Sequence, residues 1–296
     1  MPVSLIVSGM NRHVIILGAP RSGTSLTANI LHDFGYFVDF GYKNEFNSRG
    51  YWENVKLTQL NGAILNYFGG SLEHLPVLPK KWESRKTLRL LDDEGKRIIN
   101  RMDHHTAWAL KDAQFSLTLP FWRRLLPEDT KYVVCARNPI DQASSTQLST
   151  TSNHVKLDLT HGLKLWANYM VSAITNTPVN GERILVWYED YFTDLNQVSK
   201  LADFLEVDVR DTSTIDANLR HFHSDRSPDF KYPKAISEIY AELRHSTQPR
   251  CVGHWFDVSE PLWRQLLNSV KGRVAILVGI DSVIALRDLV PWKERI

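Results

Sequence analysis

His13-Val14-Ile15-Ile16-Leu17-Gly18-Ala19-Pro20-Arg21-Ser22-Gly23-Thr24-Ser25-Leu26 joins a β-branched run to a polar loop bounded by glycines. Residues 13–17 read as a buried strand that ends at Gly18. Apolar residues at 26, 30, 31 and 34 have helical spacing, so residues 24–34 read as a helix ending before Gly35. A loop between a strand end and a helix start is where a phosphate is held: backbone N–H groups turn inward and the helix presents its positive end. Gly18 and Gly23 have the spacing of a P-loop, but Thr24-Ser25 stand where that motif has Lys-Ser/Thr. The cation comes earlier, at Arg21. An ordinary turn capped by Thr24 or Ser25 is the bland alternative.

Outward from this loop, β-branched runs alternate with helical stretches. Residues 107–110, 131–136 and 183–187 read as strands; 54–68, 85–102, 115–126, 139–150 and 160–176 read as helices. This alternation predicts a three-layer α/β/α fold around a mainly parallel sheet. One domain over 1–296 is expected, with an α/β core over about 1–205 and a helical and loop C-terminal part over about 206–296, where 274–278 is ambiguous. Segments 69–86 and 220–256 read as loops over a site or plain surface.

The chain has 296 residues and a formal charge of +2, so no field of one sign points to nucleic acid or an anionic membrane. Two cysteines build no disulfide framework and no zinc pattern. Apolar runs fall short of the ~20 residues that span a bilayer. No signal peptide is evident and the loop begins near residue 18, which leaves a cytoplasmic location as the expectation.

A second strand end carries a second cation. Arg137-Asn138-Pro139-Ile140-Asp141 follows the run 131–136: Asn138 suits a helix cap, Pro139 its first position and Asp141 its first turn. Open α/β sheets bind ligands at such carboxyl ends. A triphosphatase of P-loop type holds Mg²⁺ with the help of a strand-end aspartate. Here that strand ends in Arg137, so the expected ligand is an anion bound without metal, and ATP is disfavoured.

Pro20-Arg21-Ser22-Gly23-Thr24-Ser25 resembles the 5′-phosphosulfate loop of sulfotransferases. Arg137 with Ser145, eight residues on, resembles their 3′-phosphate site, and Tyr188-Glu189-Asp190 the segment whose tyrosine approaches adenine. The resemblance implies the donor 3′-phosphoadenosine 5′-phosphosulfate, a metal-free P-loop-like fold and a hydroxyl acceptor. Two departures separate the chain from the cytosolic branch. Leu26 replaces the tryptophan that stacks on adenine there, and Leu110-Lys111-Asp112-Ala113 replaces a segment with a histidine base. Gly50-Tyr51-Trp52-Glu53-Asn54 and Lys111-Asp112 followed by residues 115–122 look more like bacterial sulfotransferases of sugars, lipids and natural products.

Sulfuryl transfer is an in-line displacement, which a protein assists by positioning and by neutralising charge on the leaving oxygen. The resemblance implies Arg21, Thr24, Ser25 and the loop N–H groups on the 5′-phosphate, and Lys111 on the sulfonate or bridging oxygen. The bland reading of Lys111 is an ion pair with Asp112 or another acid. The acceptor needs a base. Glu53 is placed first, Asp112 second with orientation of Lys111 as its other role, and Glu45 and His32 are further candidates. Trp52 and Trp82 are the tryptophans expected to line an acceptor pocket. His104-His105 and His221-Phe222-His223 read as surface. A P-loop kinase or nucleotide hydrolase and a non-catalytic nucleotide-binding protein stay open as alternatives. Acceptor and oligomeric state are not readable.

Overall fold

The computed structural model describes residues 12–41, 50–151, 157–178, 182–194, 196–208, 215 and 234–245. Five parallel strands form one sheet in the order β2-β3-β1-β4-β5: β1 is His13–Gly18, β2 Phe37–Val38, β3 Trp108–Lys111, β4 Lys131–Ala136 and β5 Arg183–Trp187. The two-residue β2 has no sequence signature; pairing of Phe37 with Trp108 and Val38 with Ala109 creates it.

Alternation along the strands divides the core. Ile15 and Leu17 of β1, Trp108 and Leu110 of β3, and Tyr132, Val134 and Ala136 of β4 enter one apolar cluster. It also takes in residues of α2 (Val55–Tyr67), α4 (Asp92–Met102), α5 (Phe115–Trp122), α7 (Leu159–Asn176) and α10 (Lys234–His245). Val14, Ile16, Ala109, Val133 and Cys135 face a second cluster with α1 (Thr24–Asp33), α8 (Asp190–Thr193) and α9 (Asn196–Leu205). Past their first residues, His13 and Lys131, β1 and β4 are buried throughout, as is β3, yet the period of two still decides which helical layer each residue meets. This is the expected three-layer architecture.

The predicted helices at 24–34, 54–68, 115–126, 139–150 and 160–176 are present, with α6 at Pro139–Thr151. The single helix expected over 85–102 is broken. A 3₁₀ turn, Trp82–Ser84, leads into α3, Lys86–Arg89, and α4 starts anew at Asp92. The first turn of α4 holds Asp92, Asp93 and Glu94, which suit a helix N-terminus. The ambiguous run 274–278 lies outside the described residues, as do 220–233 and 246–256 of the segment expected as a loop over 220–256; its residues Lys234–His245 form the helix α10 instead.

The chain leaves β1 toward β2 and leaves β4 toward β5, in opposite directions. Their carboxyl ends, Gly18 beside Cys135, therefore frame a crevice of the kind in which open parallel sheets take ligands. Among the described residues no helix is long and apolar enough to cross a membrane.

Candidate functional site

The loop after β1 is shaped by three residues with positive φ: Gly18 at 149°, Arg21 at 67° and Gly23 at 94°. At Gly18 a Cβ would stand 2.3 Å from the Cys135 carbonyl oxygen; at Gly23 it would stand 2.6 Å from Cδ2 of Tyr188. Ser22 N–H donates to the Ala19 carbonyl at 3.1 Å, closing the turn. Two outside side chains brace the loop. Ser116 Oγ accepts from Gly18 N–H at 3.1 Å, and Gln142 Nε2 donates to the Pro20 carbonyl at 2.6 Å.

What this loop leaves unsatisfied is informative. α1 starts at Gly23 with no side-chain cap and no acid in its first turn. By contrast, α2 is capped by Asn54, which accepts from Leu57 N–H, and α7 by Asp158, which accepts from His161 N–H. Ser22 is fully buried, and its Oγ has no hydrogen-bond partner among the described residues. An orphaned hydroxyl beside an uncapped helix start is a cradle for an anion.

Arg137 follows β4 as expected and is buried. Its Nη1 donates to the Arg21 carbonyl at 3.1 Å, and its guanidinium lies 4.4 Å from the centre of the Tyr188 ring. Trp166 Nε1 holds the Arg137 carbonyl at 2.9 Å. Asn138 caps α6: its Oδ1 accepts from Ile140 N–H at 3.0 Å, and its own N–H donates to Glu189 Oε1 at 2.8 Å. Arg21 Nε donates to Ser145 Oγ at 3.1 Å, so its side chain is turned toward the Arg137 side of the loop. Burial opposes the charge of both guanidiniums and pushes their pKa values down, and the Arg21 charge lowers Arg137 further. A phosphate here would relieve that cost.

On the other flank, β3 delivers Lys111, whose Nζ is paired with Glu53 Oε1 and donates to the Tyr51 carbonyl at 3.0 Å. Ser25 Oγ donates to the same carbonyl at 3.3 Å. Asp112 does not face Lys111 in a bond. Its Oδ2 accepts from Asn61 Nδ2 at 2.9 Å and its Oδ1 from Gln114 N–H at 2.9 Å. Asn61 Oδ1 in turn accepts from Thr118 and Trp122. Burial first, and then the Glu53 charge, push the Asp112 carboxyl up to about 6.

The structure thus gathers Pro20, Arg21, Ser22, Gly23, Thr24 and Ser25 with Arg137, Ser145 and Tyr188 on one side and with Lys111 and Glu53 on the other. Three expectations change. Asp112 is set in a network with Asn61 and Gln114, so the partner of Lys111 is Glu53. Trp52 and Trp82, expected as walls of an acceptor pocket, are each buried, in the second and first apolar clusters respectively. His32 lies in the last turn of α1, its ring 5.2 Å from that of Trp52. Glu45 lies outside the described residues. Leu26 packs against the second apolar cluster. Sequence reasoning missed Gln142, Ser116, Asn61 and Trp166, because their contacts span 29 to 122 residues of chain. It also missed the Tyr51 carbonyl, which has no side-chain signature at all. Among the described residues no group of three or more His, Cys, Asp or Glu is placed to hold a metal ion.

A model of the sulfotransferase family matches residues 13–211. No curated protein matches. Among solved structures, the sulfotransferase domain from the Synechococcus PCC 7002 olefin synthase is similar at 17% identity, over 78% of this chain and 92% of that one, with a TM-score of 0.44. Sulfotransferase STF9 from Mycobacterium avium is similar at 14% identity, over 79% and 76%, with a TM-score of 0.45. A retinol dehydratase in complex with androsterone and inactive cofactor PAP is similar at 14% identity, over 89% and 82%, with a TM-score of 0.33.

Proposed function

The chain belongs to the sulfotransferase family, whose model matches more than half of it, and from that premise we propose which of its residues move the sulfonate. The reaction transfers a sulfonate group from 3′-phosphoadenosine 5′-phosphosulfate to a hydroxyl acceptor. Membership of the family sets aside the kinase, hydrolase and non-catalytic alternatives.

The residues present suit that donor. The uncapped start of α1, the orphaned Ser22 hydroxyl, Thr24 and Ser25 would hold the 5′-phosphosulfate. Arg137 and Ser145 would hold the 3′-phosphate, and Arg21, expected on the 5′-phosphate but turned toward Ser145, would add its charge there instead. Tyr188, which covers Gly23 and stacks with Arg137, would flank the nucleotide.

The observation that carries the reading is the meeting of Lys111 and Glu53 beside the loop. Lys111 would neutralise charge gathering on the bridging oxygen. Glu53 would take the acceptor's proton as the new O–S bond forms, while the electron pair of the broken S–O bond goes to the 5′-phosphate. Asp112, fixed by Asn61 and Gln114, would keep the floor of this polar cluster in place. Half-buried Leu72, Leu75 and Leu78 pack on a cluster that includes Ala19 and Ala113, neighbours of Pro20 and Asp112. This supports an acceptor alcohol carried on an apolar body over a free sugar. A buried free thiol at Cys135 supports a reducing, cytoplasmic setting.

The test is calorimetric titration with adenosine 3′,5′-bisphosphate, with and without Mg²⁺, together with sulfonate transfer in the presence of an alcohol. Metal-independent binding that weakens at least tenfold in Arg137→Ala is expected. Glu53→Gln is expected to lower kcat by about 10²-fold or more, the usual worth of a general base. Binding of ATP only with Mg²⁺ would overturn the donor assignment, and full turnover by Glu53→Gln the base assignment.

A further inference from the structure

Lys111 is a lysine with 4% of its side chain exposed, and a buried ammonium has to be matched by charge or by hydrogen-bond acceptors. In this structure both come from one short segment. Glu53 supplies the carboxylate, and the Tyr51 carbonyl supplies an acceptor that Ser25 Oγ also uses. Lys111 and Ser25 are two of the groups assigned above to the phosphosulfate end of the donor. They come from different elements, β3 and α1, yet they converge on segment 50–54: both donate to the Tyr51 carbonyl, and Lys111 also pairs with Glu53.

We propose that Glu53 and the Tyr51 carbonyl stand in for the donor's anion on Lys111 and Ser25, so that donor binding releases Glu53 to serve as base. This inference rests on the reading of the site given above. While Lys111 holds Oε1 of Glu53, that oxygen is turned to the ammonium and not to an alcohol. A phosphosulfate arriving at the start of α1 offers both donors a new anionic partner. Lys111 and Ser25 turn to it, and the Glu53 carboxylate is left to meet the acceptor. Productive binding is therefore ordered, with donor before acceptor, and the base is held back until there is a sulfonate to transfer.

The change is confined to side chains because the segment itself is pinned. Gly50 has φ of 97° and Trp52 of 57°, a conformation rare for an aromatic residue. The buried Trp52 ring meets Phe40 edge-on at 4.8 Å, and the Trp52 backbone N–H donates to the Phe40 carbonyl at 3.1 Å. Asn54 is fastened twice: it caps α2 and donates from Nδ2 to Asp39 Oδ2 at 2.9 Å. At Gly41 a Cβ would stand 2.6 Å from the Glu53 carbonyl oxygen, so the neighbouring backbone leaves no slack. Trp52, expected to line a pocket, is in this account the wedge that sets Tyr51 and Glu53 in register with Lys111.

Competition for Lys111 has a measurable sign. If Glu53 and the donor share that ammonium, removing the Glu53 charge strengthens donor binding, and by reciprocity the donor weakens the internal pair by the same factor. The experiment is calorimetric titration of 3′-phosphoadenosine 5′-phosphosulfate, without acceptor, into the wild type, Glu53→Gln, Lys111→Met and the double variant, each checked for cooperative melting. Glu53→Gln is expected to bind the donor about tenfold more tightly than the wild type, within the usual range of coupling between sites. In the Lys111→Met background the same substitution is expected to have no effect. Unchanged or weaker binding by Glu53→Gln would overturn the proposal, because the pair would then persist in the donor complex. An equal gain in both backgrounds would also overturn it, since bulk charge alone would explain the result. Arg137-dependent donor binding in the wild type with either of these outcomes sinks only this inference. No donor binding by the wild type sinks the site reading with it.

Discussion

Asp112 shows how one residue's surroundings fix its chemistry. Its carboxyl is wholly buried, receives hydrogen bonds from Asn61 and Gln114, and is lifted from an ordinary 3.8 to about 6. The folded protein therefore holds this proton more tightly than the unfolded chain does. Below pH ~4 both states are protonated and the site is neutral to stability. Between about pH 4 and 6 the unfolded state binds fewer protons, so stability falls as pH rises, and above that window the loss is complete. A shift of this size corresponds to roughly 3 kcal/mol at most. Denaturant unfolding from pH 4 to 7 should show the stability gap between wild type and Asp112→Asn moving in favour of the asparagine variant by about 1–3 kcal/mol. A gap independent of pH would show that Asp112 titrates normally in the fold.

Within the elements, two glycines of different kinds separate shape from space. Gly62 lies inside α2, and the nearest atom to an added Cβ is Gln114 Oε1 at 3.9 Å. Gly62→Ala should stabilise the protein by about 0.5–1 kcal/mol, the ordinary gain of alanine over glycine in a helix. Gly18 ends β1, and its Cβ would meet the Cys135 carbonyl of the neighbouring strand at 2.3 Å. That oxygen belongs to the sheet and cannot yield, so Gly18→Ala should cost about 2–3 kcal/mol. Denaturant midpoints of the two variants should move in opposite directions. The same reasoning explains the loop: its path is set by close approach to β4 and to Tyr188, which a side chain at 18 or 23 would block.

At the scale of the whole molecule, α10 docks near the carboxyl ends of β4 and β5. Arg244 Nη1 donates to both oxygens of Asp190, at 2.9 and 2.8 Å, and its guanidinium lies 4.1 Å from the centre of a Trp187 ring. Tyr240 meets Trp187 and Trp166 edge-on, and its hydroxyl accepts from Asn138 Nδ2 at 3.4 Å. Arg244→Ala should loosen this docking by about 1–2 kcal/mol, the sum of a half-exposed ion pair and a cation–π contact. Hydrogen exchange over residues 234–245 should quicken, and affinity for adenosine 3′,5′-bisphosphate should fall severalfold through Asn138 and its neighbour Arg137. Unchanged exchange would mean that the apolar face of α10, Ile236, Ile239 and Leu243, docks it alone.

Much of this was legible in the chain because it is local. Strand, loop and helix over 13–34 follow from side-chain periodicity and from glycines at fixed offsets, and the cap at Asn138-Pro139 from the needs of a helix start. Those interactions span a few residues, so neighbouring letters carry them. The sulfotransferase family could be approached from three such local segments together. Tertiary structure alone decided which acid meets Lys111, that Trp52 is buried against Phe40, that β2 exists, and that Gln142 and Ser116 brace the loop. Each of these depends on groups far apart in the chain, or on a backbone carbonyl with no letter of its own. Their energies come from burial and from who is left to satisfy whom, and only the folded chain brings those partners within reach.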